Sequence, residues 1–254
     1  MKLIAEIDPN TTPKGRSLDE IRRIAQQKVE EIRFFSMISS RGYTISGIAL
    51  PTVYFCDDFG DSRYFAENVP DFAQGRFLEI GCGTGIVILS TALANKKLFA
   101  KGSEKYMAID ISLQSVKNAK INAMINGLED NIDVRQGDVF EPLEENEKFD
   151  SMFWAHPFHK GNAHEDIIQR ACFDPLFQGL EKYVQDGHRF LSNGGRQLLG
   201  SGNFADMDDV KEIIGKHECE MHLMHYAHRP FRGKSGELNT YNIYEIKRKV
   251  PRGR

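Results

Sequence analysis

A glycine-rich turn follows the short apolar segment FLEI and gives the first indication of chemistry. Gly81, Gly83 and Gly85 lack a Cβ, which permits a positive φ and a close approach of the backbone to a ligand. A dinucleotide site would need the spacing Gly-x-Gly-x-x-Gly, whereas the spacing here is Gly-x-Gly-x-Gly. Glu79 stands two residues before the first glycine and would repel a pyrophosphate. The turn therefore predicts a cationic or hydroxyl-rich ligand.

Two more acids follow the next two apolar segments of the chain. Asp110 ends YMAID, and a carboxylate in that position can accept both hydroxyls of a ribose. Asp138 follows Gly137, where it can accept a hydrogen bond from an adenine amino group. Each acid alone could equally cap a helix N-terminus. Three such turns at consecutive strand ends favour a shared nucleoside site.

Regular elements must place these turns along one edge of a sheet. Apolar segments alternate with helical periodicity from residue 76 onward, which is typical of a parallel sheet with helices on both faces. The last two strands have no helix between them, so we expect an antiparallel hairpin at one edge. The predicted strands are 76–80, 105–109, 132–136, 149–154, 196–200, 219–226 and 241–247, and the predicted helices are 62–68, 85–95, 112–125, 165–185 and 207–217.

The first 50 residues differ from the remainder of the chain. Residues 1–16 are polar and contain Pro9 and Pro13, as in a tail. Ser17 and Glu20 fit a capping box, and apolar residues follow at helical spacing, so an amphipathic helix is predicted over 18–39. This helix either packs on the core or forms a lid or dimer contact. The predicted organisation is a tail and helix over 1–50 and one domain over 51–254.

The glycine turn with Asp110 and Gly137-Asp138, in this order, resembles the class I S-adenosylmethionine (SAM)-dependent methyltransferases. The closest resemblance is to the small-domain group that includes the release-factor glutamine methyltransferases, over roughly residues 50–250. It implies a Rossmann-like α/β fold with a seven-stranded sheet, an antiparallel last strand and SAM as the cofactor.

The resemblance also implies where SAM is held. Glu79 and the glycine turn would surround the methionine end, Asp110 would bind the ribose, and Asp138 would lie near the adenine. In related enzymes an acidic turn before the first strand closes over SAM, and here Asp61-Ser62 stands in its place, followed by Arg63. The full set of expected cofactor-binding residues is Glu79, Gly81, Cys82, Gly83, Thr84, Gly85, Asp110, Ile111, Gly137, Asp138, Val139, Ala155, Asp61 and Ser62.

The fourth strand leads into Trp154-Ala155-His156-Pro157-Phe158. Amino-directed relatives carry an Asn at the position of Ala155, whose side chain orients an amide or exocyclic amine. Alanine has no acceptor there, which disfavours a glutamine or adenine target. His156 is a candidate general base, because its ordinary pKa is near neutrality, or it hydrogen-bonds locally. Trp154 and Phe158 are core residues, or they stack on the adenine or shield the sulfonium.

The sequence thus predicts a SAM-dependent methyltransferase acting on a small-molecule or protein acceptor. One alternative is a SAM-cleaving enzyme of the azetidine-2-carboxylate synthase type, in which the α-amine of SAM attacks its own aminocarboxypropyl chain and releases methylthioadenosine. A second alternative is a non-catalytic SAM-binding module.

Composition narrows the partners and the compartment. The chain has 254 residues with 33 Lys plus Arg and 36 Asp plus Glu, a net charge of −3, which disfavours nucleic acid. No apolar run is long enough to span a membrane, and the first residues do not resemble a secretory signal. The 4 cysteines are scattered, as in reduced cytoplasmic proteins. A homodimer is compatible with these features.

Histidines late in the chain raise the question of a metal. His217, Cys219, His222, His225 and His228 lie close in sequence, but on a strand alternate residues face opposite ways, so no metal site is predicted. Methyl transfer itself needs no metal. The loop that carries His159, His164 and Asp166 is either solvated or lines the acceptor pocket.

Overall fold

The computed structural model describes residues 31–55, 60–95, 106–161, 171–230 and 238–249. Its strands are β1 Arg33–Ile38, β2 Thr44–Ala49, β3 Phe77–Ile80, β4 Tyr106–Asp110, β5 Ile132–Gln136, β6 Phe149–Ala155, β7 His159–Lys160, β8 Phe173–Asp174, β9 Leu191–Gly202, β10 Cys219–Pro230 and β11 Leu238–Arg248. Its α-helices are α1 Asp61–Asn68, α2 Ile86–Ala94, α3 Leu113–Ile125, α4 Gln178–Asp186 and α5 Met207–Lys216.

Seven strands form one mixed sheet in the order β10-β11-β9-β6-β3-β4-β5. Strands β9, β6, β3, β4 and β5 run parallel, whereas β11 is antiparallel to both β9 and β10. The predicted Rossmann-like sheet with an antiparallel strand near its edge is confirmed. Strands β3 and β4 are buried along their whole length, as expected for central parallel strands covered by helices on both faces.

The segment predicted as helical over 165–185 is only partly helical. Residues 162–170 lie outside the described part of the chain. After them come the short strand β8 and a 3₁₀ turn at Pro175–Phe177, so α4 begins only at Gln178. Leu176 and Phe177 have positive φ values of 54° and 53°, which no continuous α-helix can contain.

The predicted helix over 18–39 is wrong where the structure describes it. Residues 33–38 form β1, which pairs antiparallel with β2 in a two-stranded hairpin. Along β1 the buried Phe35 and Met37 alternate with exposed Phe34, Ser36 and Ile38. A period of two and the aromatic residues favour a strand over the helical spacing that begins upstream. Residues 17–30 lie outside the described residues, and the division of the chain at residue 50 stays a prediction.

The hairpin packs on the domain. A Tyr43–Ser90 hydroxyl contact of 2.8 Å ties it to α2, and Arg63 on α1 donates to the Ser36 carbonyl at 3.0 Å. Asparagines along α3 hydrogen-bond the backbone of β2. None of the helices that the structure describes is long and apolar enough to cross a membrane.

Candidate active site

One cleft opens at the carboxyl ends of β3, β4, β5 and β6. In a parallel sheet this edge collects the loops that follow each strand, and ligands of open α/β sheets bind there. Every residue expected at the site lines this cleft except Gly85. Those that line it are Asp61, Ser62, Glu79, Gly81, Cys82, Gly83, Thr84, Asp110, Ile111, Gly137, Asp138, Val139, Trp154, Ala155, His156 and Phe158.

The glycines of the turn have different structural roles. Gly81 has a φ of 64°, and a Cβ on it would stand 2.8 Å from the indole nitrogen of Trp154. Gly85 has a φ of 79°, and its Cβ would stand 3.2 Å from the Cβ of Ala119 on α3. Gly85 therefore serves the close approach of two helices, which explains its absence from the cleft.

Glu79 is buried beneath the glycine turn. Its Oε2 accepts a hydrogen bond of 2.8 Å from the Ile88 amide in the first turn of α2. Burial raises the pKa of this carboxyl well above its ordinary value, and the neighbouring charge of Asp110 raises it further against the Ile88 hydrogen bond. A cationic group in the cleft would favour the ionised form.

Asp110 is held by two backbone amides. Its Oδ2 accepts from Gly83 at 2.9 Å, and its Oδ1 accepts from Ser112 at 2.8 Å. Burial raises its pKa, while the two amide hydrogen bonds act in the opposite direction. Each carboxylate oxygen has a further lone pair, so a fixed Asp110 can still accept two hydroxyls.

The predicted adenine end carries an ion pair that the sequence reasoning missed. The Asp138 carboxylate contacts the ammonium group of Lys182 on α4. The Lys182 side chain is 54% exposed and the Asp138 side chain 36% exposed, so water screens this pair. The next residue, Val139, is buried and has a φ of 53°. A local sequence pattern cannot show a contact between residues 44 positions apart.

Tyr54 and Asp61 meet at the side of the cleft that α1 borders. The Tyr54 hydroxyl donates to Asp61 Oδ1 at 3.1 Å, and the Ser62 amide donates to the same oxygen at 2.7 Å. Burial raises the pKa of Asp61. Arg63 donates to the Ser36 carbonyl on the hairpin and is not among the residues that line the cleft.

The β6 end of the cleft is aromatic and carries His156. The His156 side chain is 1% exposed, and neither ring nitrogen has a hydrogen-bond partner of normal geometry. Burial lowers the pKa of His156 to about 4, against the smaller raising effect of the Pro157 backbone near the ring, so the ring is neutral at pH 7. Its ring meets Phe158 and Phe177 edge-on, at centroid distances of 5.6 and 5.8 Å.

A second buried imidazole, His159, lines the same cleft. Neither of its ring nitrogens has a hydrogen-bond partner, and its Nδ1 lies 3.7 Å from Asp206 Oδ1. Asp206 forms two hydrogen bonds with the loop after β6. Its amide donates to the Phe158 carbonyl at 2.9 Å, and its Oδ2 accepts from the Lys160 amide at 2.9 Å. Asp206 precedes α5 and was not singled out in the sequence, which contains no local motif that links it to residue 159.

The late histidines have separate partners. His217 lies 3.2 Å from Glu181, His225 Nδ1 lies 2.9 Å from the Tyr64 hydroxyl, and His228 Nδ1 lies 2.7 Å from the Thr240 hydroxyl. Across the described ranges, no three His, Cys, Asp or Glu side chains are grouped so that they could hold a metal ion.

Comparison with known proteins gives a family for this fold and cleft. A family model described as a methyltransferase domain matches residues 71–245. A Methanocaldococcus jannaschii protein, provisionally named a protein N5-glutamine methyltransferase, is 29% identical over 178 residues, which cover 66% of this chain and 84% of that protein. The release factor glutamine methyltransferase of Aliivibrio fischeri is 29% identical over 55% of this chain, and the match spans only 50% of that enzyme.

Solved structures agree on the fold. A ribosomal protein L11 methylase from Lactobacillus delbrueckii subsp. bulgaricus superimposes with a TM-score of 0.52 at 15% identity, covering 80% of this chain and 84% of that chain. A 16S rRNA N2 methyltransferase from T. thermophilus, solved with AdoMet and guanosine, gives 0.57 at 21% identity, covering 86% of this chain and 51% of that chain. The matched region contains the strands β3 to β6, whose carboxyl ends border the cleft. The chain therefore belongs to the methyltransferase-domain family and is a class I SAM-dependent methyltransferase.

Proposed function

We propose that SAM lies across the ends of β5, β4 and β3, with its reacting end beside β6. The side chains present fit such a ligand. Glu79 is a buried acid and Asp61 a partly buried one, and both have raised pKa values, so a bound sulfonium or ammonium group would favour their ionised forms. Asp110 is fixed as a hydroxyl acceptor, and a Cβ added to Gly83 would meet no atom within 4 Å, which leaves open space above the turn.

SAM supplies an electrophilic methyl group when bound, and the chain must then align and desolvate a nucleophile. Ala155 has no side-chain acceptor for a carboxamide. Among the described residues that line the cleft there is neither an Asn nor a Gln. We infer that the acceptor is not a carboxamide, although two relatives are named for glutamine methylation.

The observation that carries the acceptor proposal is the unpaired ring of His156. A buried polar group without a partner costs free energy, and a ligand that hydrogen-bonds to it would recover that cost. A neutral imidazole offers one N–H donor and one nitrogen acceptor. The proposed acceptor therefore carries a hydroxyl, amine or similar X–H group that donates to His156.

His156 also has a place in the chemistry as a general base. With its pKa lowered to about 4, it remains neutral in the presence of an uncharged acceptor. The acidity of the X–H group rises steeply as the new X–CH₃ bond forms. For a hydroxyl acceptor, this proton becomes far more acidic than the imidazolium, so His156 would take it from X, and the electron pair of the broken S–CH₃ bond would stay on the sulfur. A methylated amine would instead release its proton to water.

The test incubates the pure protein with SAM and one acceptor class at a time, with mass spectrometry of all products. The classes are hydroxylated and amine metabolites, glutamine-containing peptides and RNA. S-adenosylhomocysteine and a methylated X–H compound are expected only with the first class. Replacement of His156 by Phe should lower the rate far more than the affinity for SAM.

Other products would overturn particular parts of the proposal. A methylated glutamine peptide would show that Ala155 does not exclude carboxamides. Methylated RNA would match the rRNA methyltransferase relative and contradict the inference from the net charge of −3. Methylthioadenosine from SAM alone, above an enzyme-free control, would establish cleavage of the aminocarboxypropyl chain as the reaction.

A further inference from the structure

Two asparagines of α3 and Asn126, which directly follows its last residue, form a ladder along strand β2 of the N-terminal hairpin and Leu50 after it. Asn118, Asn122 and Asn126 stand four residues apart, so they share one face of the helix. Asn118 accepts from the Leu50 amide at 2.6 Å, Asn122 accepts from the Ile48 amide at 2.8 Å, and Asn126 accepts from the Ser46 amide at 3.2 Å. Each amide group also donates back to a β2 carbonyl at 2.8 Å. The ladder replaces the missing neighbour strand of β2.

Asn122 differs from the other two because it also reaches the glycine turn. Its Nδ2 donates to the Thr84 carbonyl at 2.8 Å, and the side chain is fully buried. Thr84, which stands between Gly83 and Gly85 in the sequence, lines the cleft. One carboxamide therefore joins the backbone of the hairpin to the turn on which SAM is proposed to lie.

The hairpin has space for the Asn122 side chain because residue 47 is a glycine. Gly47 lies between the two β2 amides that Asn122 and Asn126 hold, and a Cβ on Gly47 would stand 2.9 Å from both Cγ and Oδ1 of Asn122. It would also stand 2.6 Å from Phe35 Cζ. These distances are shorter than van der Waals contact, so any larger residue at position 47 must displace Asn122 or Phe35.

We propose that Asn122 is a positioning residue for the cofactor, which couples the order of the β1–β2 hairpin to SAM binding through the Thr84 carbonyl. The proposal rests on the assignment of the glycine turn to SAM made above. Because the coupling is a property of one equilibrium, it acts in both directions. SAM stabilises the hairpin, and damage to the hairpin at Asn122 weakens SAM binding.

Isosteric substitutions test this coupling by calorimetric titration with SAM at pH 8. Asn122→Asp keeps the acceptor for the Ile48 amide but removes the donors to the carbonyls of Thr84 and Ile48, and we expect the SAM dissociation constant to rise about tenfold. Asn126→Asp is the matched control, since it makes the same change on the same ladder away from the turn, and its affinity should stay within about twofold. Gly47→Ala, which lies outside the cleft, should weaken SAM binding by about threefold or more.

Hydrogen exchange of the wild-type protein tests the reverse direction and does not depend on any variant folding. Adding SAM should slow exchange at the amides of Ile48 and Leu50. Where Asn122→Asp folds, it should abolish that slowing. Unchanged SAM affinity in folded Asn122→Asp, an equal loss in Asn126→Asp, or no protection of the hairpin by SAM would overturn the coupling. If Asp110→Asn also leaves SAM affinity unchanged, the assignment of the site has failed instead of the coupling.

Discussion

The two halves of the cleft differ in whether their buried polar groups have hydrogen-bond partners. In the half formed by β3 and β4, the Glu79 and Asp110 carboxylates hold backbone amides of the glycine turn, of helix α2 and of the residue before α3. In the half formed after β6, the rings of His156 and His159 are buried with no hydrogen-bond partner. Native proteins leave few such groups unpaired, and those that remain call for an explanation. This difference supports the proposal that one half, the cofactor half, is already organised for SAM, whereas the polar groups of the other, the acceptor half, are completed by a ligand.

The largest expected effect is a loss of folding stability at acidic pH, and it originates in the acceptor half of the cleft. The pKa of His156 is about 4 in the folded protein against an ordinary value of 6.5, so between these pH values only the unfolded chain takes up the proton. The free energy of unfolding should therefore fall by about 3 kcal/mol, because of this residue, as the pH falls from 6.5 to about 4. Urea unfolding at pH 7 and pH 4.5 should show a clearly smaller loss for His156→Phe. Equal losses would mean that His156 is solvated or paired in solution.

The cofactor half should respond most strongly to Asp110. Asp110→Ala removes the acceptor proposed for the ribose and leaves the Gly83 amide without its partner. SAM binding should weaken by roughly 1–3 kcal/mol, the usual value of a charge-assisted hydrogen bond. Calorimetric titration measures this, with Asp130→Ala as the control because Asp130 is exposed and lies outside the cleft. Equal losses of SAM affinity in both variants would show that Asp110 does not bind SAM.

The raised pKa values of the cofactor half predict a proton linkage. Burial raises the pKa of Glu79, Asp61 and Asp110 in the free protein, and a bound cation favours their ionised forms. SAM binding should release protons, and the affinity should rise with pH from the ordinary carboxyl range up through the raised values. Calorimetry in two buffers of different ionisation enthalpy measures the released protons. Heats that do not depend on the buffer would show that these acids are already ionised.

The smallest expected effect is at the adenine end. Lys182→Met frees the Asp138 carboxylate from its ammonium partner, and the exposed pair contributes little. SAM affinity should rise by less than about threefold, because the adenine amino group then meets no competitor. Lys216→Met is the matched control, since Lys216 pairs with Glu181 and does not line the cleft. A loss of affinity in Lys182→Met alone would instead make Lys182 a ligand contact.

The same contrast explains what the sequence predicts and what it does not. The strands, the glycine turn, Asp110 at the end of β4 and Asp138 after β5 depend on contiguous residues, so their type and order can be predicted from the sequence. Gly85 was assigned to ligand binding, and only its distance from Ala119 shows that it serves helix packing. The partners Lys182 and Asp206 lie more than 40 positions from Asp138 and His159, and no local periodicity connects them.

The prediction of a helix at the N-terminal hairpin was wrong for a different physical reason. Residues 32 and 35 fit a helical spacing as well as a strand alternation, and the capping box at 17–20 favours a helix. The choice between the two is made by tertiary contacts, since Asn118, Asn122 and Asn126 supply the hydrogen bonds that β2 would otherwise lack. A ladder of asparagines on a distant helix leaves no mark in the strand itself except Gly47.

We propose that the cofactor half binds SAM without help from the acceptor half. Titration of SAM into the His156→Phe variant would test this division of the cleft, because the change removes both ring nitrogens and keeps an aromatic ring of similar size. We expect a dissociation constant within about twofold of the wild type, since His156 forms no hydrogen bond with any group of the cofactor half. A weakening as large as that of Asp110→Ala would contradict the division of the cleft and make His156 part of the SAM site.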